Sequence, residues 1–351
     1  MNEGISFVVP VHNGAATIRD TLTAIVADIG ADPATEILVV DDASCDESPR
    51  VLAELAETMP IRVIAGQGRG AAAALNAGVR AARFSLIAQV DQDVIIRPGW
   101  TRTLMAALAD PSVAAAQGWY VYDPSATVCV RAMGLDLEER YVAILNVDQD
   151  TDHVCTGNTL YRASALHWIG LFDETLGYGY DNDVSYRLQE AGYRLCIKPD
   201  AQSVHRWREG FAGYLRQQYG FGYGRVDLVN KHPWRFIGDR VSPPSMMWHP
   251  LILAASLMLI MAGGLLAIFD GNWPTYLVPG TMFLALLTLE RLAVGVRAYL
   301  RVGDAASLLF PGLHLARDLV WVIAIAVWTK RYVTGERSLP SHSMRARAHS
   351  G

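Results

Sequence analysis

Asp91 and Asp93 have the clearest chemical use in this 351-residue chain. They close the apolar run Ser85–Val90 as Asp91-Gln92-Asp93. At i and i+2 of an extended segment, both carboxylates point to one side. Two hard oxygen ligands side by side suit Mg2+ or Mn2+, ions that keep waters and bind together with substrate phosphates. The bland alternative is a polar turn leading to Pro98-Gly99. A second acidic pair ends the run Val39-Val40-Asp41-Asp42-Ala43-Ser44. It serves either a ligand or the cap of the next helix. Tyr180-Asp181-Asn182-Asp183 opens another helix. There one carboxylate could be a general base near a diphosphate. Equally, both acids could complement the helix dipole, with Asp183 spaced to pair with Arg187. His205-Arg206-Trp207-Arg208 sets a histidine beside arginines, which suit phosphate oxygens.

One motif points elsewhere. Gly66-x-Gly68-x-Gly70-Ala71, read as G-x-G-x-x-A, resembles a dinucleotide-binding turn, with Asp91 about 20 residues on where a ribose-binding acid would stand. Yet such a turn belongs after the first strand, and here that turn is Pro10-Val11-His12-Asn13. The same glycines suit a loop that approaches a nucleotide diphosphate, with Arg69 as counter-charge.

The elements that must position these groups alternate. Strands are expected at Ile5–Val11, Glu36–Asp41, Ile61–Ala65 and Ser85–Val90. Helices are expected at Thr17–Asp28, from a Ser44/Glu47 capping box to Glu57, and at Ala71–Arg83. This alternation predicts a parallel sheet covered by helices, with ligands beyond the carboxyl ends of the strands. Farther on the pattern is less regular: a helix over Leu135–Leu145, another over Asp181–Ala191, a short strand Arg194–Ile197, and a glycine- and aromatic-rich stretch Phe211–Tyr223.

The chain is 51% hydrophobic and 19% charged, with a mean hydropathy of +0.18. The apolar excess sits near the C-terminus. Val241–Phe269 and Gly271–Leu289 hold no Asp, Glu, Lys or Arg. Crossing a bilayer takes about 20 apolar residues. They are expected to form a membrane hairpin (245–269 and 273–290) turning outside at Asp270–Pro274. Arginines after the hairpin and in the tail mark the cytoplasmic side. Ala305–Trp328 should then lie in the interface or re-enter, because Pro311 and Gly312 would break it and Arg317-Asp318 would be costly at the bilayer centre. A third membrane helix over 305–328 is the competing reading. The expected division is a cytosolic domain over 1–240, a membrane region over 241–330 and a basic, flexible cytoplasmic tail over 331–351. Residues 247–351 balance to +4, so the rest carries −9. That argues against nucleic-acid binding, which needs a basic face. Cys45, Cys129, Cys155 and Cys196 form no metal or disulfide pattern. The N-terminus has no signal-peptide pattern.

Taken in order, the motifs resemble glycosyltransferase family 2, enzymes of the GT-A fold. Val8-Val9-Pro10-Val11-His12-Asn13 is similar to the family's first strand, and Val39–Ser44 to its VDDxS. Gly68–Gly78, Thr156-Gly157-Asn158, Gly170-Leu171-Phe172-Asp173-Glu174 and Asp181–Leu188 are similar to its later motifs. The similarity covers about residues 5–230. It implies an α/β GT-A mixed sheet with flanking helices, here followed by C-terminal transmembrane helices. It implies inverting sugar transfer from a nucleotide-diphospho sugar, with Mn2+ or Mg2+. Pro10, Asp42, Arg69 and Asp91 would hold the donor, and Asp93, Asp91 and His205 the metal. Asp181 would be the catalytic base. Asn158, Asp183, Arg206 and Arg225 would fall in the acceptor or diphosphate region. Two departures matter. Tyr180 replaces the Glu of the family's ED pair, so the base could be Asp181 or Asp183. The QxxRW of polymer synthases is absent, which favours single-sugar transfer. The closeness of the membrane segments suggests a lipid-linked acceptor at the inner membrane, served by a multi-pass protein. A non-catalytic scaffold and a nicotinamide enzyme are the alternatives.

Overall fold

The computed structural model describes residues 2–30, 32, 34–145, 149–207, 210–269 and 271–336. Arg208 and the tail beyond residue 336, both named above, lie outside the described residues. The strands are β1 (Asn2–Val11), β2 (Thr35–Asp41), β3 (Ile61–Ala65), β4 (Phe84–Val90), β5 (Val94–Ile96), β6 (Val113–Val121), β7 (Asn158–Arg162) and β8 (Arg194–His205). The helices are α1 (Ile18–Ile29), α2 (Ser48–Thr58), α3 (Ala71–Ala81), α4 (Trp100–Ala107), α5 (Val128–Leu145), α6 (Ala163–Trp168), α7 (Tyr180–Glu190), α8 (Phe211–Lys231), α9 (Pro244–Ile268), α10 (Pro274–Val302) and α11 (Phe310–Thr334).

The strands form one sheet in the order β3-β2-β1-β4-β7-β6-β8-β5. β3, β2, β1 and β4 run parallel, and β7 reverses direction between β4 and β6. Residues Ile5–Val9 and Ile37–Val40 are buried without a break, as expected of parallel strands covered on both faces. α1 buries Ile18, Leu22 and Ile25, one face at helical spacing.

Several expectations need correction. The Ser44/Glu47 capping box does not form. α2 starts at Ser48 with Pro49 in its first turn, and the Ser44 hydroxyl instead accepts the Asn13 N–H at 2.9 Å. The strand expected over Arg194–Ile197 continues to His205, held by β6 on one side and β5 on the other. Phe211–Tyr223 is the first part of a 21-residue helix.

The chain divides into two compact units. One holds Met1–Tyr122 and Ala143–Trp207; the other holds Asp123–Val142 and Arg208–Ser338. The sheet lies in the first. Packing thus groups most of α5, and all of α8, with the apolar helices, where composition alone drew the line at residue 240.

Among the described residues of the second unit, three helices are long and apolar enough to cross a membrane: Pro244–Ile268, Pro274–Val302 and Ala305–Thr334. The break expected at Pro311-Gly312 is absent. Pro311 sits in the first turn of α11, where its missing N–H costs no helical hydrogen bond. Arg317 and Asp318 are buried and paired at 2.9 Å, with Arg317 over the Trp321 ring. α8 accompanies α11 along its length. Tyr214 Oη donates to the Leu313 carbonyl, and Trp328 Nε1 donates to Asp227 at 2.7 Å. Between them the backbones approach closely, because a Cβ at Gly222 would meet Trp321 at 2.9 Å. α5 adds Asp136 to His314 at 2.8 Å and Arg131 to Asp304 at 2.8 Å. Half-buried Asp136 is held well below the usual carboxylate range: desolvation alone would raise it, but the charges of His314 and Arg140 outweigh that.

Candidate active site

Three loops meet at the carboxyl ends of β1, β2 and β4. The loop after β1 turns at Asn13, which takes φ 53°. Its amide oxygen accepts the Cys45 and Asp46 N–H groups at 2.8 and 3.3 Å, and Ser48 Oγ accepts the Gly14 N–H at 2.8 Å. That ties the β1 loop to the β2 loop. Gln92, the middle residue of the acidic turn, clasps His12 from both sides. Its Oε1 accepts the His12 N–H at 2.9 Å and its Nε2 donates to the His12 carbonyl at 3.3 Å. That ties the β1 loop to the β4 loop. Pro10, the next-to-last residue of β1, is half-buried just before this junction.

Asp42 is buried, and its carboxylate accepts the N–H groups of Arg69 and Gly70 at 3.2 and 2.6 Å. It therefore shapes the glycine loop and the start of α3. This bears on the dinucleotide alternative. The backbone donors that would cradle a pyrophosphate already serve a carboxylate, and the loop follows β3 at the edge of the sheet. Arg69 reaches out to Glu174 at 2.9 Å. Glu174 also accepts from Asn76 at 2.9 Å, which joins the Gly170–Glu174 segment to α3.

Asp91-Gln92-Asp93 is a turn and not the extended segment expected, because the Val94 N–H returns to the Asp91 carbonyl at 3.0 Å. The two carboxylates nonetheless sense each other. Burial first, then the Asp93 charge and to a lesser degree that of Asp181, push the Asp91 carboxyl up to about 7; the Gln89 amide at 2.8 Å works the other way. Gly157 packs against this carboxylate so closely that a Cβ there would overlap Asp91 Oδ2. Gly157→Ala is therefore expected to displace Asp91 and weaken donor binding about tenfold or more, a scale set by small misplacements of reacting groups. Ligand titration of the folded variant checks it.

His205 ends β8 with Nε2 3.7 Å from Asp93 Oδ1. Trp207 lies tilted against it at 4.2 Å and Tyr120 meets it edge-on at 5.6 Å. The ring is thus oriented by aromatic contacts on two sides. Arg206 donates its N–H to the Asp93 carbonyl at 2.8 Å, but its guanidinium pairs with Asp20 at 2.5 Å. The side chain meets α1 and not the acidic turn.

The first turn of α7 separates the two candidate bases. Asp181 is partly exposed and its charge is felt at Asp91, Cys155 and Tyr161. Asp183 is fully buried and paired with Arg187 at 2.6 Å. Arg187 also donates to the Ile169 and Leu171 carbonyls at 2.6 and 2.7 Å. Asp183 therefore anchors α7 to the turn before Phe172. Tyr180, in the place of the expected Glu, packs edge-on against Phe172. Asn158 is also fully buried, its Oδ1 accepting from Trp100 Nε1 at 2.6 Å, so it supports the site from the core. Arg225 belongs to the second unit, where it lies 3.7 Å from buried Asp239.

Asp91, Asp93, Asp181 and His205 thus gather beyond the carboxyl end of β4, an inner strand of the sheet, with an excess of negative charge. Residues 6–170 match the family model described as glycosyl transferase family 2. The chain carries a family 2 glycosyltransferase domain. Among relatives of this glycosyltransferase domain is the pre-mycofactocin glycosyltransferase of Mycobacterium tuberculosis, 30% identical over 247 residues, 68% of this chain and 49% of that one. The succinoglycan biosynthesis protein ExoO of Rhizobium meliloti is 27% identical, over 59% of this chain and 61% of its own. The chain therefore spans about half to three-fifths of the length of these curated relatives. A solved mannosyltransferase of Pyrobaculum calidifontis, in complex with GDP-Man and Mn2+, superposes with a TM-score of 0.58 at 19% identity, over 91% of this chain and 87% of that one. That likeness is one of fold, and the fold is GT-A.

Within the glycosyltransferase domain, sequence reasoning missed the contacts by which Gln92 and Gly157 hold the acidic turn. Gly157 had a signal, its place in the Thr156-Gly157-Asn158 turn. Gln92 had none, because a side chain that bridges two loops leaves no spacing pattern. Cys155 was also passed over. Its thiol lies close enough to the site to feel Asp181 and Asp91, and burial pushes it up to about 12, so it stays a neutral thiol.

Proposed function

We propose that the chain transfers one sugar, with inversion, from a nucleotide-diphospho sugar to a hydroxyl or phosphate oxygen of a lipid-linked acceptor at the cytoplasmic face of a membrane. The observation that carries this reading is the convergence of Asp91, Asp93 and Asp181 at the carboxyl ends of the parallel strands. Asp42, through the Arg69–Gly70 loop, and Pro10 form the donor side. Asp181 accepts the proton of the acceptor oxygen as that oxygen attacks the anomeric carbon; the bond to the diphosphate breaks on the opposite face, which inverts the centre.

The residues present fit a divalent cation. Among the described residues no three His, Cys, Asp or Glu side chains form a cage, but Mg2+ and its like are held by one or two carboxylates plus substrate phosphates. Here Asp93 and Asp91, with His205 nearby, crowd negative charge that such an ion would relieve. When bound, the ion offsets the charge that develops on the leaving diphosphate.

A pH dependence follows. The Asp91 carboxyl is raised from 3.8 to about 7. The metal-free fold therefore loses stability as pH rises from the ordinary carboxylate range to about 7, and is level above it. A metal that requires the ionised carboxylate removes that loss. Mn2+ should thus raise the melting temperature more at pH 8 than at pH 6, and its affinity should climb up to about tenfold per pH unit until 7. Calorimetry at both pH values checks this.

The membrane reading rests on the partners of α11. It packs chiefly against the polar helix α8, pairs His314 with Asp136 of α5, and also packs against α10 and α9. α8 carries Arg216, Gln217, Gln218, Arg225 and Asp227, groups that do not traverse a hydrocarbon layer. Because α8 is its most extensive partner, α11 is read as staying at the cytoplasmic interface while α9 and α10 cross as a hairpin, with the sheet facing the cytoplasm. A cysteine at Glu336 in a Cys-free background should resist an impermeant thiol reagent in intact cells. Labelling there would mean three crossings.

The acceptor is tested by offering purified enzyme matched acceptors with and without the lipid tail. Transfer should favour the tailed acceptor at least tenfold. Equal rates would refute a lipid-linked acceptor.

A further inference from the structure

Between α8 and α9 lies a short 3-10 turn, Pro233–Ile237. Its apolar side chains face outward. Trp234 is 86% exposed, and Phe236 and Ile237 are half exposed. Such residues are not spent on water without cause. From Leu228 to His249 the cations are Lys231, Arg235 and Arg240, and the only acid is Asp239. Asp239 is buried: it accepts the Val241 and Ser242 N–H groups at 3.0 and 2.6 Å and faces Arg225. Lys231 and Arg240 stay exposed. The surface shown to the outside is therefore aromatic, with two exposed cationic side chains beside it. It also continues into a candidate membrane helix, since α9 begins seven residues after Ile237 and exposes Trp248 and Leu251 in its first turns.

We infer that Trp234, Phe236 and Ile237 form a wedge that seats in the headgroup and upper acyl region of an anionic bilayer surface, flanked by Lys231 and Arg240 at the lipid phosphates. Amphipathic rings at this depth and juxtamembrane cations beside anionic lipid are each favourable on physical grounds. The wedge fixes how deeply the start of α9 sits and holds the end of α8 at the membrane surface. It rests on the reading of α9 as a membrane helix and goes beyond it, because a helix can cross without the preceding turn touching lipid.

The test uses the full chain in phosphatidylcholine–phosphatidylglycerol vesicles, three to one, with brominated acyl chains or with aqueous iodide as quencher. The emission lost in Trp234→Phe is the signal of that residue, and Trp248→Phe serves as the reference within α9. The expected result is that the Trp234 signal is quenched at least twofold by bromolipid and shielded from iodide, and less strongly quenched by bromolipid in pure phosphatidylcholine. A Trp234 signal open to iodide and blind to bromolipid, with Trp248 quenched by lipid, overturns the wedge alone. If neither residue senses bromolipid, the membrane reading of α9 fails and the wedge with it. Equal lipid quenching in both vesicles overturns the role given to the cations.

Discussion

Asp181→Asn is expected to leave donor affinity unchanged and to lower turnover by about 10²-fold or more, the scale of a lost general base. The asparagine keeps the shape and can still cap the first turn of α7, where Asp181 accepts the Asn182 N–H at 2.9 Å. What it loses is the ability to take the acceptor proton. Asp183→Asn should behave differently. Its carboxylate is buried against Arg187, so the substitution leaves a partly buried guanidinium without its counter-charge, a loss below the about 3–5 kcal/mol of fully buried pairs. Expect a lower melting temperature and less folded protein, with near-normal turnover per folded molecule. Pre-steady-state rates and thermal melts of both variants separate the two. A turnover defect confined to Asp183→Asn would move the base by two residues.

Asp93→Ala and Asp91→Ala are each expected to abolish metal-dependent donor binding, a loss of about 10²-fold or more in affinity, as for other removed groups that hold a charged leaving group. The two should differ in stability. Asp91 is the carboxylate under strain, raised to about 7 by burial and by Asp93. Removing Asp93 relieves it, so metal-free Asp93→Ala should be no less stable than the parent at pH 8. Calorimetric titration of UDP- and GDP-sugars, with Mn2+ and with chelator, gives the affinities. Unchanged binding in both variants would reduce the acidic turn to a structural feature.

Most of the parallel half of the sheet was legible because β1, β2 and β4 are largely buried and read as apolar runs ended by polar residues. The loops that carry the site were legible for the same reason, since they stand where those runs stop. What escaped depends on contacts made far along the chain. β6 is built on Ala114, Ala115 and Ala116, small residues with no strand preference, and it becomes a strand because β7 and β8 flank it. α8 contains four glycines, which argue against a helix until Trp321 is seen packed at Gly222. Ser44 looked like a helix cap because nothing local shows that Asn13, thirty-one residues earlier, takes its hydroxyl. Asp91 and Asp93 were read as an extended pair; the turn that holds them depends on Gln92 clasping His12. Asp183 was already spaced to pair with Arg187, and the structure adds that this pair is made and that Asp183 is buried while Asp181 is not.

The most direct test of the account is release of nucleoside diphosphate by the full chain in lipid vesicles, screened across UDP-, GDP- and dTDP-sugars with an extract of lipid-linked acceptors. The account predicts release from at least one donor in Mn2+, none in chelator, and about 10²-fold slower release in Asp181→Asn. Donor binding without release in every pairing, or release that persists undiminished in Asp181→Asn, would contradict it.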